Sequence, residues 1–267
     1  MKKKIMALVL AAAAALGLCG CNEEKEVSGW DYIKNKGEMI VGITYFQPMN
    51  YIDENGVLTG FETEFTTAVC EKLGVTPKFQ EINWDNKVFE LEAKTIDVIW
   101  NGMTINDDLA KKIIFSTPYI RNKQVVVINK SNADKYTDIA SMANASVTAE
   151  IGSAGETAVL SDETLSKSYN GCAAQKDVLM EIKAGTTEIG VIDYVMAKAS
   201  VGEGTSYSDL MIVESIELAA EEYAVGIRQN DTDVQEKING AIDELVKDGT
   251  LKALAEKYDL ADVYAFQ

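Results

Sequence analysis

A carboxylate at the end of a buried strand is the first place to look for chemistry in this sequence. Asp193 closes the apolar run Ile189 to Ile192 (IGVI). Burying a carboxylate beside apolar residues is costly unless a cation or hydrogen-bond donors meet it, so Asp193 is a candidate ligand contact, with capping of a following helix as the structural alternative. Glu150 ends a second strand, Val147 to Ala149, and is either a second site carboxylate or a solvated surface glutamate. Gly152-Ser153-Ala154 follows and opens a helix. Its exposed N–H groups and the Ser153 hydroxyl can hold a carboxylate without any side-chain charge; a plain helix start capped by serine fits the same residues. Asn101-Gly102-Met103-Thr104 follows the strand Ile96 to Trp100, at a strand's carboxyl end, where α/β folds place ligands. Phe46 and Trp84 offer aromatic faces for an aliphatic stem or a cation, or are simply core.

What the composition lacks narrows the chemistry. There is no histidine, which excludes His-based triads, imidazole-built zinc sites and imidazole pH switching. The arginines are Arg121 and Arg228 alone. With 25 Lys+Arg against 42 Asp+Glu, the net charge is −17 and no basic stripe is present, so a nucleic-acid partner is not expected. No cofactor or metal is expected either. At 267 residues and 47% hydrophobic, the chain can bury a core as one large domain or two lobes.

Lys2 to Lys4 form a basic start, and Ile5 to Leu18 is an unbroken run of apolar residues and glycine. That run is shorter than the roughly 20 residues that span a bilayer and suits a cleavable secretion signal over residues 1–20. Leu18-Cys19-Gly20-Cys21 looks like a bacterial lipobox, with Cys21 as the lipidated first residue of a mature chain anchored by acyl chains. An ordinary signal peptide with coincidental cysteines is the alternative. Residues 21–27, acidic and polar, read as a flexible tether. Cys70 and Cys172 are expected as separate buried thiols.

The elements that must position these residues alternate. Strands are expected at Met39 to Ile43, Lys78 to Ile82, Ile96 to Trp100, Gln124 to Ile128, Val147 to Ile151, Ile189 to Ile192 and Tyr223 to Ile227. Phe61, Phe65, Val69 and Leu73 recur on one helical face that Gly74 stops, and Val178, Leu179 and Ile182 mark a helix ending at Gly185. Lys87 to Lys94 reads as a short helix, and Val234, Ile238, Ile242 and Leu245 step down a terminal one. Such alternation predicts an α/β protein with largely parallel sheets and ligand sites at the strand ends.

The order and spacing of GEMIVG (Gly37 to Gly42), PMNY (Pro48 to Tyr51), GFE (Gly60 to Glu62), EKLGV (Glu71 to Val75), IDVIWNGMTI (Ile96 to Ile105), FSTPY (Phe115 to Tyr119), YAVGIR (Tyr223 to Arg228) and the closing DGTL and EKY resemble the extracytoplasmic solute-binding lipoproteins of polar-amino-acid ABC importers. The resemblance implies a two-lobed, type II periplasmic-binding-protein-like fold. Each lobe would be a mostly parallel sheet flanked by helices, joined by two hinge strands that close on ligand. Lobe one would span 28–119 and 223–267, and lobe two 120–222. It implies Phe46 and Trp84 sandwiching the ligand, with Tyr45 pointing away by strand alternation. The Gly102 carbonyl and Asp193 would take the ligand ammonium, and Thr104 would donate to its carboxylate. At the family's carboxylate-gripping arginine this chain carries Leu109, so Thr104, Ser153 and backbone N–H groups would hold any carboxylate. Lys111 or Lys112 is the nearest cation in sequence. Glu150 stands where the family usually has a polar or basic residue. A site with two carboxylates and no arginine points to a cationic or zwitterionic amine, a basic amino acid among them, with a neutral amino acid held by backbone donors as the alternative. The implied protein is not an enzyme. It would act as a monomer on the outer face of the bacterial membrane, handing its ligand to a permease and its ATPase. The competing readings are a dehydratase-like enzyme on the same scaffold and a ligand-presenting sensory protein.

Overall fold

The structure is a computed structural model and describes residues 29–266; the expected signal, tether and lipidated Cys21 lie outside the described residues. Two five-stranded sheets organise the chain. The first runs in the order Thr76–Glu81, Glu38–Ile43, Val98–Ile99, Gly226–Arg228, Ile113–Phe115. The second runs Leu210–Tyr223, Ile120–Asn129, Ile189–Asp193, Val147–Glu150, Tyr169–Cys172. Both are mostly parallel, as expected, with four of the five strands in each running in one direction. Glu38–Ile43 is parallel to both its neighbours, whereas Gly226–Arg228 is antiparallel to both of its own. In the second sheet Ile120–Asn129 is antiparallel to both neighbours, and the remaining pairings are parallel. The opposing strands are Gly226–Arg228 in the first sheet and Ile120–Asn129 in the second, the latter at a crossing where Leu210–Tyr223 returns alongside it with Tyr223 opposite Ile120.

Helices pack on both sheets where the apolar periodicity places them. Phe61–Leu73 ends at Gly74 in the left-handed conformation, and Gln175–Ala184 ends likewise at Gly185, each glycine's N–H closing the last turn. Val234, Ile238, Ile242 and Leu245 of Thr232–Lys247 are buried. Helices at Gly29–Lys36, Tyr194–Ser200 and Thr250–Lys257 complete the layers. Cys70 and Cys172 are separate buried thiols.

Two expected strands differ for local reasons, and one strand was not expected. Ile96 to Trp100 pairs only at Val98–Ile99, because the Ile40 N–H that would enter the ladder donates to the Asp97 carboxylate at 2.7 Å. The expected Tyr223 to Ile227 strand breaks after Tyr223, where the Ala224 N–H donates to the Met103 carbonyl and the Val225 N–H to the Ser116 hydroxyl. The polar stretch before it forms the fourteen-residue strand Leu210–Tyr223, with register shifts on either side of Glu217.

Candidate ligand-binding cleft

A cavity of about 480 Å³ lies between the two sheets' carboxyl ends. Phe46, Trp84, Asn101, Gly102, Thr104, Leu109, Glu150, Gly152, Ser153 and Asp193 all line it. It is within the volume range of small-molecule sites.

From the first lobe, Phe46 sits in a tight turn whose N–H donates to the Asn50 carbonyl at 2.7 Å. Its ring packs edge-on against Tyr223 and lies so close to Gly102 that a Cβ there would meet the ring at 2.4 Å. Glycine is required on that count and by its φ of 54°. Trp84 opens a short 3-10 turn capped by Asn83 and is buried in the Ile82, Leu91, Ile99 cluster. Both rings therefore serve as core and as cavity wall. Tyr45 also lines the cavity. Alternation does not turn it away, because the strand ends at Ile43.

Asn101 is occupied by the scaffold. Its carbonyl oxygen accepts from Thr44 N–H and the Asn50 amide, and its amide donates to the Thr44 hydroxyl at 2.7 Å. Behind it, the buried Glu62 carboxyl accepts from the Gly102 N–H at 2.9 Å, the Asn50 amide and the Tyr119 hydroxyl. Burial raises the Glu62 pKa to about 7. The glutamate of the GFE motif thus holds the NGMT loop in place. Thr104 departs from its expected role. Its hydroxyl proton goes to Glu221 at 2.9 Å, so towards a ligand it offers an acceptor and no donor.

From the second lobe, Asp193 occupies the N-cap position of Tyr194–Ser200 but makes no capping bond, which removes the capping reading. It is 4% exposed and accepts from the Asn122, Gln124 and Gln175 amides. Burial nonetheless raises its pKa, the amide donors opposing the shift. Asn122 and Gln124 alternate on the buried face of a crossing strand and also donate to Glu221. Half-buried Glu221 is raised to about 7, chiefly by burial and then by Asp193. Glu150 is no solvated surface group. It is 3% exposed, and no hydrogen bond or ion pair among the described residues reaches its carboxyl. Burial, then Asp193, pushes its pKa up to about 8.

The expected helix-start anion site is filled from within. The Gly152 N–H donates to Glu156 at 2.7 Å, and Ser153 caps by accepting the Glu156 N–H. This takes up the Gly152 N–H and leaves the Ser153 hydroxyl proton and the Ala154 N–H at the helix start.

The cations are arranged as follows. Arg228 is buried against Asp97 and Asp231, and Arg121 is an exposed residue near Ala265; neither lines the cavity. Leu109 does, as an aliphatic wall. Lys111 reaches the rim but pairs with Asp108 at 2.7 Å. The buried cation on the cavity wall is Lys87, which none of the sequence motifs singles out. It is 5% exposed, with its ammonium 4.7 Å from the Trp84 ring centre. A lysine in the first turn of a helix opposes the helix dipole, and that breach was its visible signal.

Known proteins carry the same architecture. The chain is 30% identical over 234 residues to the L-cystine-binding protein TcyJ of Escherichia coli K12, covering 86% of each. It is 26% identical to the L-arginine-binding protein of Pseudomonas aeruginosa, covering 82% of this chain and 86% of that one. An ABC uptake transporter substrate-binding protein of Streptococcus pneumoniae, solved with bound histidine, matches with a TM-score of 0.81 and 30% identity over 89% of this chain and 98% of that chain. The ancestral amino-acid-binding protein AncCDT-1, a precursor of cyclohexadienyl dehydratase, matches at 0.78 and 26% over 86% and 99%. Residues 39–261 fit the pattern of the bacterial extracellular solute-binding proteins, family 3, and with nearly the whole described chain inside that match the protein belongs to this family.

Proposed function

We propose that the protein is the extracytoplasmic receptor of an ABC importer and that it captures, between its two lobes, an α-amino acid whose side chain carries a cation. Glu150 is the observation that carries the choice of ligand. A buried carboxyl with no hydrogen bond or ion pair among the described residues, its charge only partly offset by Lys87, on the wall of a cavity that no arginine enters, is neutralised by a ligand cation and repels a ligand carboxylate. Relatives named for arginine and cystine and a neighbour holding histidine support an amino-acid ligand. The lobes, 28–119 with 223–267 and 120–222, close by bending at the paired crossings near Ile120 and Tyr223. Calorimetry with L-lysine, L-arginine, L-histidine, L-cystine, L-glutamine and L-glutamate tests the reading. Tightest binding is expected from a basic amino acid, with no product formed. Tightest binding to glutamate would overturn the cation assignment, and turnover would turn the reading to an enzyme.

Cys21 is the proposed anchor, acylated after cleavage behind Gly20. Cys21→Ala is expected to move the exported protein from the membrane fraction to the soluble fraction. An unchanged partition would remove the lipid anchor from the account.

A further inference from the structure

We infer that Lys87 is the carboxylate receptor of this site, taking the part that Leu109 cannot. The inference rests on the amino-acid reading above. An ammonium has three N–H donors. Two of them are spent on carbonyls, Trp84 at 3.1 Å and Gly152 at 2.7 Å. The third has no partner among the described residues, and no carboxylate lies within ion-pair distance. The group lines the cavity almost completely desolvated, against an indole face. A buried ammonium in that state is costly unless an anion meets it.

The other donors expected to serve a carboxylate are committed elsewhere. The Thr104 hydroxyl proton goes to Glu221 and the Gly152 N–H to Glu156, which leaves the Ser153 hydroxyl and the Ala154 N–H as uncharged second contacts. Position matters as much as availability. Lys87 belongs to the first lobe, while Glu150 and Asp193 belong to the second. A zwitterion laid with its carboxylate on Lys87 and its ammonium on the acid pair therefore joins the two lobes. Lys87 already touches the second lobe through Gly152, whose φ of 73° favours glycine and where an added Cβ would press on Asp85 at 3.0 Å. Ligand and latch converge on one ammonium.

The test compares each amino acid with the amine left by removing its carboxylate: L-arginine with agmatine, L-lysine with cadaverine, L-histidine with histamine, L-cystine with cystamine. The wild-type chain is expected to prefer the tightest-binding amino acid over its amine by roughly 10- to 100-fold, the range of a charge-assisted hydrogen bond. Lys87→Met is expected to lose about that factor for the amino acid and to hold its affinity for the amine within about threefold, so that the preference disappears. Lys87→Arg should restore most of it. Equal losses for acid and amine in Lys87→Met would make the residue a structural latch, and wild-type indifference to the carboxylate would overturn the inference without any variant. Binding of none of the amino acids would instead overturn the amino-acid reading itself.

Discussion

Glu150→Gln is expected to make the ligand-free protein more stable at pH 8 and to flatten the dependence of its stability on pH. The Glu150 carboxyl is held at about 8 in the fold, chiefly by burial, against an unfolded value near the ordinary 4.5. A pKa raised by folding means that the native state binds the proton more tightly than the unfolded state. The stabilisation is full below the unfolded pKa and is lost as pH rises towards the folded one. Between pH 5 and pH 8 this one group removes on the order of 3 kcal/mol, which corresponds to a fall in Tm of roughly 5–10 °C for a chain of this size. Glu62 and Glu221, each near 7 and raised chiefly by burial, add to the same slope. Glutamine keeps the shape and cannot ionise, so the variant should retain only their part. Ligand reverses the effect. A cation beside Glu150 favours its ionised form, so binding at pH 7 should release close to one proton, read as a dependence of the calorimetric enthalpy on buffer ionisation. Lys87, held at about 8 by desolvation, is already mostly protonated there and takes up little in return. Parallel pH–stability curves for wild type and Glu150→Gln would show that Glu150 is ionised and paired in the free protein, and the cation reading would fall with that.

Local periodicity made much of this molecule legible. The helix Phe61–Leu73 and the glycine stops at Gly74 and Gly185 depend on residues within a few positions of each other, and so does the buried run Ile189–Asp193. The same holds for the site residues at strand ends, since a strand's carboxyl end is itself a local feature. Asp193 and the Asn101–Thr104 loop were found on that ground. What escaped depends on contacts that close only in three dimensions. Glu221 acquires its meaning from Thr104, 117 positions earlier, and Lys87 from Gly152, 65 positions later. Leu210–Tyr223 hides its strand character because the shifts around Glu217 break the alternation and Glu214, Glu217 and Glu222 face solvent. Tyr45 faces the cavity because strand alternation ends with the strand at Ile43, two residues before it. Yet the polar pair Asn122 and Gln124 was readable. Two amides alternating on the inner face of an otherwise apolar strand need an acceptor, and Asp193 and Glu221 are that acceptor.

Asp193→Asn is expected to weaken binding of the α-amino acid by at least about 100-fold, within the 2–5 kcal/mol that removal of one partner from a buried charged hydrogen bond costs. A carboxylate offers about four lone-pair positions. Asn122 and Gln124 fill two on one oxygen, and Gln175 fills one on the other. One position on that second oxygen is left by these amides for a ligand N–H, together with a negative charge that a ligand ammonium favours against the burial that raises the pKa. Asparagine withdraws both. Its amide must turn towards either the Asn122 and Gln124 donors or the Gln175 donor, and it then meets N–H with N–H. Gln175 cannot simply flip in response, because its carbonyl oxygen already accepts the backbone N–H of residue 193 at 3.1 Å. A loss of stability of about 1–3 kcal/mol is therefore expected beside the loss of affinity, and stability alone does not separate the two roles. The separation comes from a ligand lacking the α-ammonium, the 2-oxo acid of the same side chain. Wild type should bind it far more weakly than the amino acid, and Asp193→Asn should bind it no worse than wild type does. If the variant instead loses the 2-oxo acid and the amino acid by the same factor, Asp193 shapes the cleft without touching the ammonium, and the charge that selects the ligand rests on Glu150 alone.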